Sequence, residues 1–151
     1  MSVKTIILMC AALTLAAPVS ATEYTRLNAK QLTKHYAGQT ELGEYSNYTS
    51  RSDTVMYTEI HNEDGTIAYK EGDFSSTGIW YVTEKDQICY RYNEANGLGR
   101  AQCFWIYEAD GCYYSFSRKP ALLKKTPERY ERWGSRGVIK GSGHTCAALV
   151  I

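Results

Sequence analysis

The side chains that could carry out catalysis or bind a metal ion are few and far apart in the sequence. The three histidines, His35, His61 and His144, belong to three different predicted elements: a helix, a strand end and a glycine-rich loop. None of them has a second ligand at the spacing of zinc or metalloprotease motifs. The sequence therefore predicts no metal site, no cofactor and no catalytic residue.

Two further arrangements could serve chemistry. Residues 141–144 read Gly-Ser-Gly-His and place a hydroxyl near an imidazole, but so glycine-rich a loop does not hold a nucleophile and its base in a fixed geometry. Acidic residues cluster at Glu63 and Asp64 and again at Glu71 and Asp73, where hairpin turns are expected. Acidic side chains are common at solvated turns, so we interpret these clusters as structural.

The first 21 residues have the organisation of a secretory signal peptide. Lys4 precedes 12 apolar or small residues from Ile6 to Ala17, and small residues follow at Val19 and Ala21. The apolar run is shorter than the ~20 residues that span a bilayer. We expect residues 22–151 to form one exported domain, periplasmic or extracellular and not transmembrane, for which nucleic acid is not an expected partner.

Four cysteines remain after that segment, and an exported chain with an even number of cysteines favours two disulfide bonds. They are Cys89, Cys103, Cys112 and Cys146. The turn-rich segment 94–99 lies between two predicted strands, and antiparallel pairing around it places Cys89 opposite Cys103. Cys112 then pairs with Cys146 by elimination. A bridge between Cys103 and Cys112 is the competing arrangement.

One helix and a series of short strands follow the predicted signal. The helix begins after Asn28 as N-cap and runs from Ala29 to Ala37, with Gly38 as C-cap. A second short helix is predicted after Thr126. Runs rich in Tyr, Thr, Val and Ile predict strands at 40–49, 54–61, 66–71, 78–83, 88–93, 102–108 and 112–118.

The turns between these runs indicate hairpins. Segments 62–65 and 108–111 both end in Asp-Gly, a pair that adopts positive backbone φ angles readily. The chain has 151 residues, of which 44% are apolar, enough for a single core. The predicted fold is mainly β, within the α+β class: an antiparallel curved sheet or small β-barrel of about seven strands with one N-terminal helix.

Short motifs in this order resemble a known family. They are Ala37-Gly38-Gln39-Thr40 with Gly43, Asp64-Gly65-Thr66, Gly78-Ile79-Trp80, and Cys89 with Cys103. The order is similar to that of the small exported proteobacterial proteins grouped as domain of unknown function 995, over residues 27–114. The resemblance implies a β-rich envelope or periplasmic protein and supplies no catalytic residues. Cys112, Cys146 and the basic segment lie outside the shared pattern.

Charge and tyrosine content suggest where a partner could bind. Residues 41–110 contain 13 acidic and 5 basic residues, whereas the segment 118–140 contains 8 basic and 2 acidic ones. The basic segment could bind an anionic lipid, an acidic glycan or an acidic protein, or it could pack against the acidic strands. The candidate partner-binding residues are Lys124, Lys125, Arg129, Arg132, Trp80, Tyr113 and Tyr114.

These observations favour a non-enzymatic exported module, stabilised by disulfides, that binds or inhibits a macromolecule or lipid. One alternative is a small-ligand carrier, which requires an apolar pocket of several hundred Å³ near Trp80. The other alternative is a small hydrolase, which requires His61 or His144 to meet an acidic partner in one cleft.

Overall fold

The computed structural model describes residues 24–46, 56–95, 97–117 and 133–146. The predicted signal peptide, the predicted helix after Thr126 and most of the basic segment lie outside these residues. The elements are β1 (Thr25–Arg26), α1 (Ala29–Tyr36), β2 (Gln39–Tyr45), β3 (Met56–His61), β4 (Thr66–Glu71), β5 (Phe74–Val82), β6 (Ile88–Glu94), β7 (Gly97–Leu98), β8 (Gln102–Ala109), β9 (Cys112–Phe116) and β10 (Ser135–Ile139).

Eight of these strands close into an antiparallel barrel. Strands β2 to β6 pair in sequence order, β6 then pairs with β8, and β8, β9 and β10 follow until β10 returns to β2. The two-residue strands β1 and β7 lie beside β8 and β6. The predicted small β-barrel with one helix is therefore confirmed. Its seven predicted strands correspond to β2–β6, β8 and β9, and β10 is the barrel strand that sequence reasoning missed, along with the two-residue strands β1 and β7.

The hairpin turns follow the local sequence. Asp110 and Gly111 have φ angles of 52° and 77°, as the two central residues of a type I′ turn require. In the turn before β4, Asp64 Oδ1 accepts a hydrogen bond from the backbone N–H of Thr66 at 2.8 Å, and Gly65 has a φ of 84°. These turns set the register of the strands that they connect.

Helix α1 closes one end of the barrel. Asn28 caps it, with its side chain accepting from the Gln31 N–H while the Gln31 side chain accepts from the Asn28 N–H. Leu32 and Tyr36, four residues apart on one face, pack against inward-facing residues such as Ile67. The predicted helix and its N-cap are confirmed, and the helix ends one residue earlier than predicted.

Two disulfide bonds hold the barrel. Cys89 and Cys103 are directly opposite each other in β6 and β8, with their Cα atoms 4.1 Å apart. Cys112 at the start of β9 is bonded to Cys146, with a Cα separation of 5.1 Å. Both predicted pairings are confirmed.

The described residues include no helix with the length and apolar character needed to cross a bilayer.

Three aromatic residues proposed for partner binding, Trp80, Tyr113 and Tyr114, are buried. Trp80 and Tyr113 face the barrel interior with 7% and 8% of their surface exposed. Tyr114 faces outward but is covered by a second cluster that includes Trp133. Trp80 and Tyr113 are buried because inward-facing positions of a small barrel are filled by side chains, and Tyr114 is buried because the second cluster covers it.

Part of the basic segment packs internally. Arg136 in β10 is buried, and its guanidinium pairs with Glu44 of β2 at 2.5 Å. The same guanidinium lies 5.1 Å from the centre of the Trp133 ring. For this residue, the alternative that the basic segment packs against acidic strands is the correct one. Lys124, Lys125, Arg129 and Arg132 lie outside the described residues.

Candidate functional site

The barrel interior contains a cluster of two carboxyl groups and one imidazole. Glu41 and Glu59 are register partners in β2 and β3, and His61 lies two residues after Glu59 on the same face of its strand. One ligand atom from each residue lies within 4.8 Å of the others, and His61 Nε2 is 3.7 Å from Glu59 Oε2. All three side chains are buried, with at most 6% of any residue exposed.

Tyrosine hydroxyls orient this cluster. The Tyr57 hydroxyl donates a hydrogen bond to Glu41 Oε1 at 3.2 Å, and the Tyr92 hydroxyl donates to Glu59 Oε1. The Tyr90 hydroxyl is 3.3 Å from His61 Nε2. Burial, followed by the nearby carboxylates, raises the pKa of Tyr57 and Tyr90 well above the usual value, so both stay protonated. The carboxyl oxygens are thereby held by a second layer of donors.

Two glycines make room for the cluster. A Cβ atom at Gly43 would lie 2.2 Å from the ring of Tyr57, and a Cβ atom at Gly137 would lie 2.3 Å from Oε1 of Glu41. Contacts this short do not occur between non-bonded atoms, so any larger residue would displace the side chain beside it. The positions of Tyr57 and Glu41 thus depend on glycines in β2 and β10.

The described residues place no cationic side chain beside the cluster. Burial, with a smaller contribution from Glu59, raises the pKa of Glu41 to about 8, and burial raises the pKa of Glu59 to about 7. Burial lowers the pKa of His61 to about 4, so its ring is neutral at pH 7. Among the described residues, no Lys or Arg lies within 4.0 Å of either carboxyl group. A proton or a bound cation must therefore supply the missing positive charge.

A cavity of about 80 Å³ borders the cluster and is lined in part by Glu41, Glu59 and Tyr90. A second cavity, of about 200 Å³, lies at the barrel end opposite α1, which we call the mouth. Tyr45 and Tyr92 line both cavities. The two spaces are therefore neighbours inside the barrel.

The ligand atoms of the cluster suit a transition-metal ion. Zinc takes imidazole nitrogen at 2.0–2.1 Å and carboxylate oxygen at 2.0–2.2 Å, which separates neighbouring ligand atoms by about 3.3 Å in a tetrahedral site. The separations within the cluster reach 4.8 Å, so closure requires small rotations of the carboxyl groups. The three side chains therefore fit a zinc ion, and the adjacent cavity is available for a water ligand.

The other predicted site residues have different surroundings. The ring of His35 is 3.1 Å from the Tyr113 hydroxyl, and His144 lies exposed beside Gly111, so the three histidines do not meet. Asp64 is exposed in its turn, as expected. Glu71 was expected at a solvated turn, but it is buried with 3% of its surface exposed, because its position in β4 faces inward.

The requirements of the two alternative functions are met only in part. The Trp80 indole donates a hydrogen bond to the Asn62 carbonyl at 2.9 Å and packs against the ring of His61. Side chains fill the interior there, and among the described residues the two interior cavities are lined by residues other than Trp80. His61 does meet an acidic partner, Glu59, as a hydrolase would require, whereas the ion pairs of the described residues do not include His144.

Sequence reasoning missed the cluster, although β3 carries a signal for it. Tyr57, Glu59 and His61 alternate along one face of the strand, and Met56 and Ile60 occupy the other face.

Comparisons with protein-family models, with curated proteins and with solved structures gave no match. The resemblance to domain of unknown function 995 therefore remains a prediction.

Proposed function

We propose that this protein is an exported, non-enzymatic binding module that holds one divalent transition-metal ion, typified by Zn²⁺, on Glu41, Glu59 and His61. The observation that carries the proposal is the convergence of three buried ligand atoms within 4.8 Å of one another. No cationic side chain of the described residues neutralises these carboxyl groups.

The ligand chemistry favours zinc over magnesium or calcium. Mg²⁺ and Ca²⁺ are bound through oxygen atoms, whereas an imidazole nitrogen beside carboxylates suits zinc and its first-row neighbours. Hydrogen bonds from Tyr57 and Tyr92 orient the two carboxylates, as outer-shell partners do in metal sites.

The size of the adjacent cavity supports binding rather than hydrolysis. The cavity measures about 80 Å³, which is below the ~300 to 1,000 Å³ of typical ligand pockets. Such a cavity has room for the water molecules that would complete the coordination of a metal ion. Glu59 and His61 are therefore assigned to metal binding and not to catalysis.

Export is supported by the predicted signal peptide of residues 1–21 and by the two disulfides, since disulfides persist in oxidising compartments. We place the protein in the periplasm or outside the cell. The disulfide-stabilised barrel then serves as a rigid frame that holds the metal ligands in position.

Equilibrium dialysis tests the proposal. The protein is stripped of metal with a chelator and dialysed against Zn²⁺ with excess Mg²⁺ at pH 7.5, and bound metal is measured by atomic emission. We expect one Zn²⁺ per chain and at least tenfold weaker binding in Glu59→Gln and in His61→Gln. His144→Gln is the matched control and should bind as the parent does. Failure of the parent protein to retain zinc would refute the metal function.

A further inference from the structure

Four tyrosine side chains lie between the metal cluster and the mouth. Tyr57 lines the cavity beside the cluster, and Tyr69 lines the mouth. Tyr45 and Tyr92 line both spaces. The ring centre of Tyr57 is 4.8 Å from that of Tyr45 and 6.1 Å from that of Tyr69. The ring centres of Tyr69 and Tyr92 are 5.3 Å apart. We call these four neighbouring residues the tyrosine layer.

The mouth is the end of the barrel that the described residues leave open. At the other end, Leu32 and Tyr36 of α1 are 0% and 1% exposed, and the ring centre of Tyr36 is 4.9 Å from that of His61. The described residues that line the cavity beside the cluster include none from α1. Hydrogen bonds between neighbouring strands close the barrel wall. A metal ion that moves between solvent and the cluster therefore passes the mouth and the tyrosine layer.

Two members of the tyrosine layer are tied to the metal ligands. The Tyr92 hydroxyl donates to Glu59, and the Tyr92 ring is parallel to that of Tyr90, with 9° between their planes. The Tyr57 hydroxyl donates to Glu41. Rotation of either side chain would take a hydrogen-bond donor away from a buried carboxyl group, which costs free energy.

Tyr45 is the least constrained member of the layer. It is the last residue of β2, and its side chain is half-buried, whereas Tyr57 and Tyr69 are only 5% and 8% exposed. The Tyr45 hydroxyl is 2.8 Å from that of Tyr69, and the Tyr69 hydroxyl is also held by Glu71. Rotation of Tyr45 towards the mouth breaks this contact with Tyr69 but leaves both carboxyl ligands of the metal with their donors.

We infer that Tyr45 is the gate of the metal site: rotation of its side chain out of the tyrosine layer connects the mouth with the cluster. The inference rests on the proposed metal function and adds the control of access to it. A conformational step that binding requires slows association. The ion leaves by the same route, so the same barrier slows its release. The gate therefore sets both rates and leaves the dissociation constant unchanged.

The charges at the mouth favour the entry of a cation. In the described part of the chain, the charged side chains that line the mouth are Glu71, Glu94 and Arg100. Two carboxyl groups against one guanidinium give a formal excess of one negative charge, which raises the local concentration of cations. Glu94 and Arg100 are exposed, so salt screens their contribution.

Stopped-flow kinetics of zinc binding and release test the gate. Metal-free protein is mixed with Zn²⁺ and a zinc-sensitive dye for association, and zinc-loaded protein is mixed with an excess of a chromogenic chelator for release. We expect Tyr45→Ala to accelerate both processes roughly tenfold or more, with a dissociation constant within about threefold of the parent value. Tyr45→Phe keeps the ring but loses the hydroxyl contact with Tyr69, so its rates should rise by about threefold. Tyr81→Ala is the matched control, because Tyr81 lies on the outer face of β5 with 39% of its surface exposed, and it should have the parent rates.

A second measurement follows access to the cluster without a metal ion. Diethyl pyrocarbonate modifies neutral imidazole rings, and the low pKa of His61, about 4 because of burial, keeps this ring neutral at pH 7. In metal-free protein, Tyr45→Ala should raise the rate of His61 modification roughly tenfold or more. The exposed His144 should react at the same rate in parent and variant and serves as the internal reference. Peptide mass spectrometry measures both sites in one sample.

Circular dichroism confirms that each variant is folded before its rates are interpreted, and Tyr45→Phe decides the question if Tyr45→Ala does not fold. A rate of His61 modification that these substitutions leave unchanged would overturn the gate. Faster zinc release with unchanged association would also overturn it, because Tyr45 would then support the bound ion rather than control its passage. If the parent protein retains no zinc, the metal function fails, and the modification of His61 still decides whether Tyr45 controls access to the cluster.

Discussion

In the metal-free protein, we expect the free energy of unfolding to fall as the pH rises from 5 to 8. Glu41 and Glu59 have folded-state pKa values of about 8 and about 7, both above the ordinary value of 4.5. Between 4.5 and those values, the folded protein holds protons that the unfolded chain has lost. Stability due to such groups is present at low pH and is lost as the pH rises through the folded pKa.

His61 acts in the opposite direction over part of the range. Its folded pKa is about 4, against 6.5 when unfolded, so its contribution increases stability as the pH rises to 6.5. Each proton that one state binds and the other does not changes the free energy of unfolding by about 1.4 kcal/mol per pH unit. Below pH 6.5 the folded protein holds about one more proton than the unfolded chain, and just above pH 6.5 it holds about two more. The free energy of unfolding therefore falls by roughly 3 to 5 kcal/mol between pH 5 and 8.

Urea unfolding followed by tryptophan fluorescence measures this loss, with the unfolding free energy extrapolated to zero urea at each pH. Glu41→Gln removes one titrating carboxyl group and should flatten the curve between pH 5 and 7. Glu84→Gln, at an exposed turn, is the matched control and should follow the parent curve. A stability that is constant or rises above pH 6.5, with Glu41→Gln following the same curve, would refute the buried-carboxyl reasoning.

Further predictions concern the frame around the cluster. Gly137→Ala should displace Glu41 and weaken zinc binding at least tenfold with the barrel still folded, whereas Gly134→Ala, whose Cβ would meet nothing closer than 3.7 Å, should bind zinc normally. Replacing Cys89 and Cys103 by Ala should lower the unfolding free energy by about 3 kcal/mol, and replacing Cys112 and Cys146 by about 4 kcal/mol, because the second loop is longer. Denaturation midpoints measured for each pair against the parent check this order. At pH 7.5, a hundredfold excess of Zn²⁺ over the parent's dissociation constant should stabilise the parent by about 2.7 kcal/mol and His61→Gln, which binds at least tenfold more weakly, by no more than about 1.4 kcal/mol.

Local features of the fold could be predicted because neighbouring residues determine them. The Asp-Gly turn at Asp110 and Gly111 and the capping residue Asn28 act within a few positions of the chain. The Cys89–Cys103 bond follows from the register of β6 and β8 across a short connection. β10 was missed because five residues in a basic, glycine-containing stretch carry little strand signal of their own. Its partners, β2 and β9, are distant in the sequence or separated from it by a long connection.

The candidate metal cluster could not be predicted because β3 turns its polar face toward the barrel interior and its apolar face toward solvent, the reverse of the usual arrangement. A hydrophobic core would place Met56 and Ile60 inside and Glu59 outside, yet those two apolar residues are 52% and 44% exposed. Alternation along β3 shows that Glu59 and His61 share a face but not that this face points inward. Only the pairing of β2 with β3 brings Glu41 opposite Glu59, and that register spans a connection of ten residues.

A crystal structure of the zinc-loaded protein, with anomalous diffraction recorded on both sides of the zinc absorption edge, tests the metal site most directly. We expect a single anomalous peak inside the barrel, within about 2.0 to 2.2 Å of His61 Nε2 and of one carboxylate oxygen from each of Glu41 and Glu59. An interior without a peak, or zinc found only at the exposed His144, would contradict it.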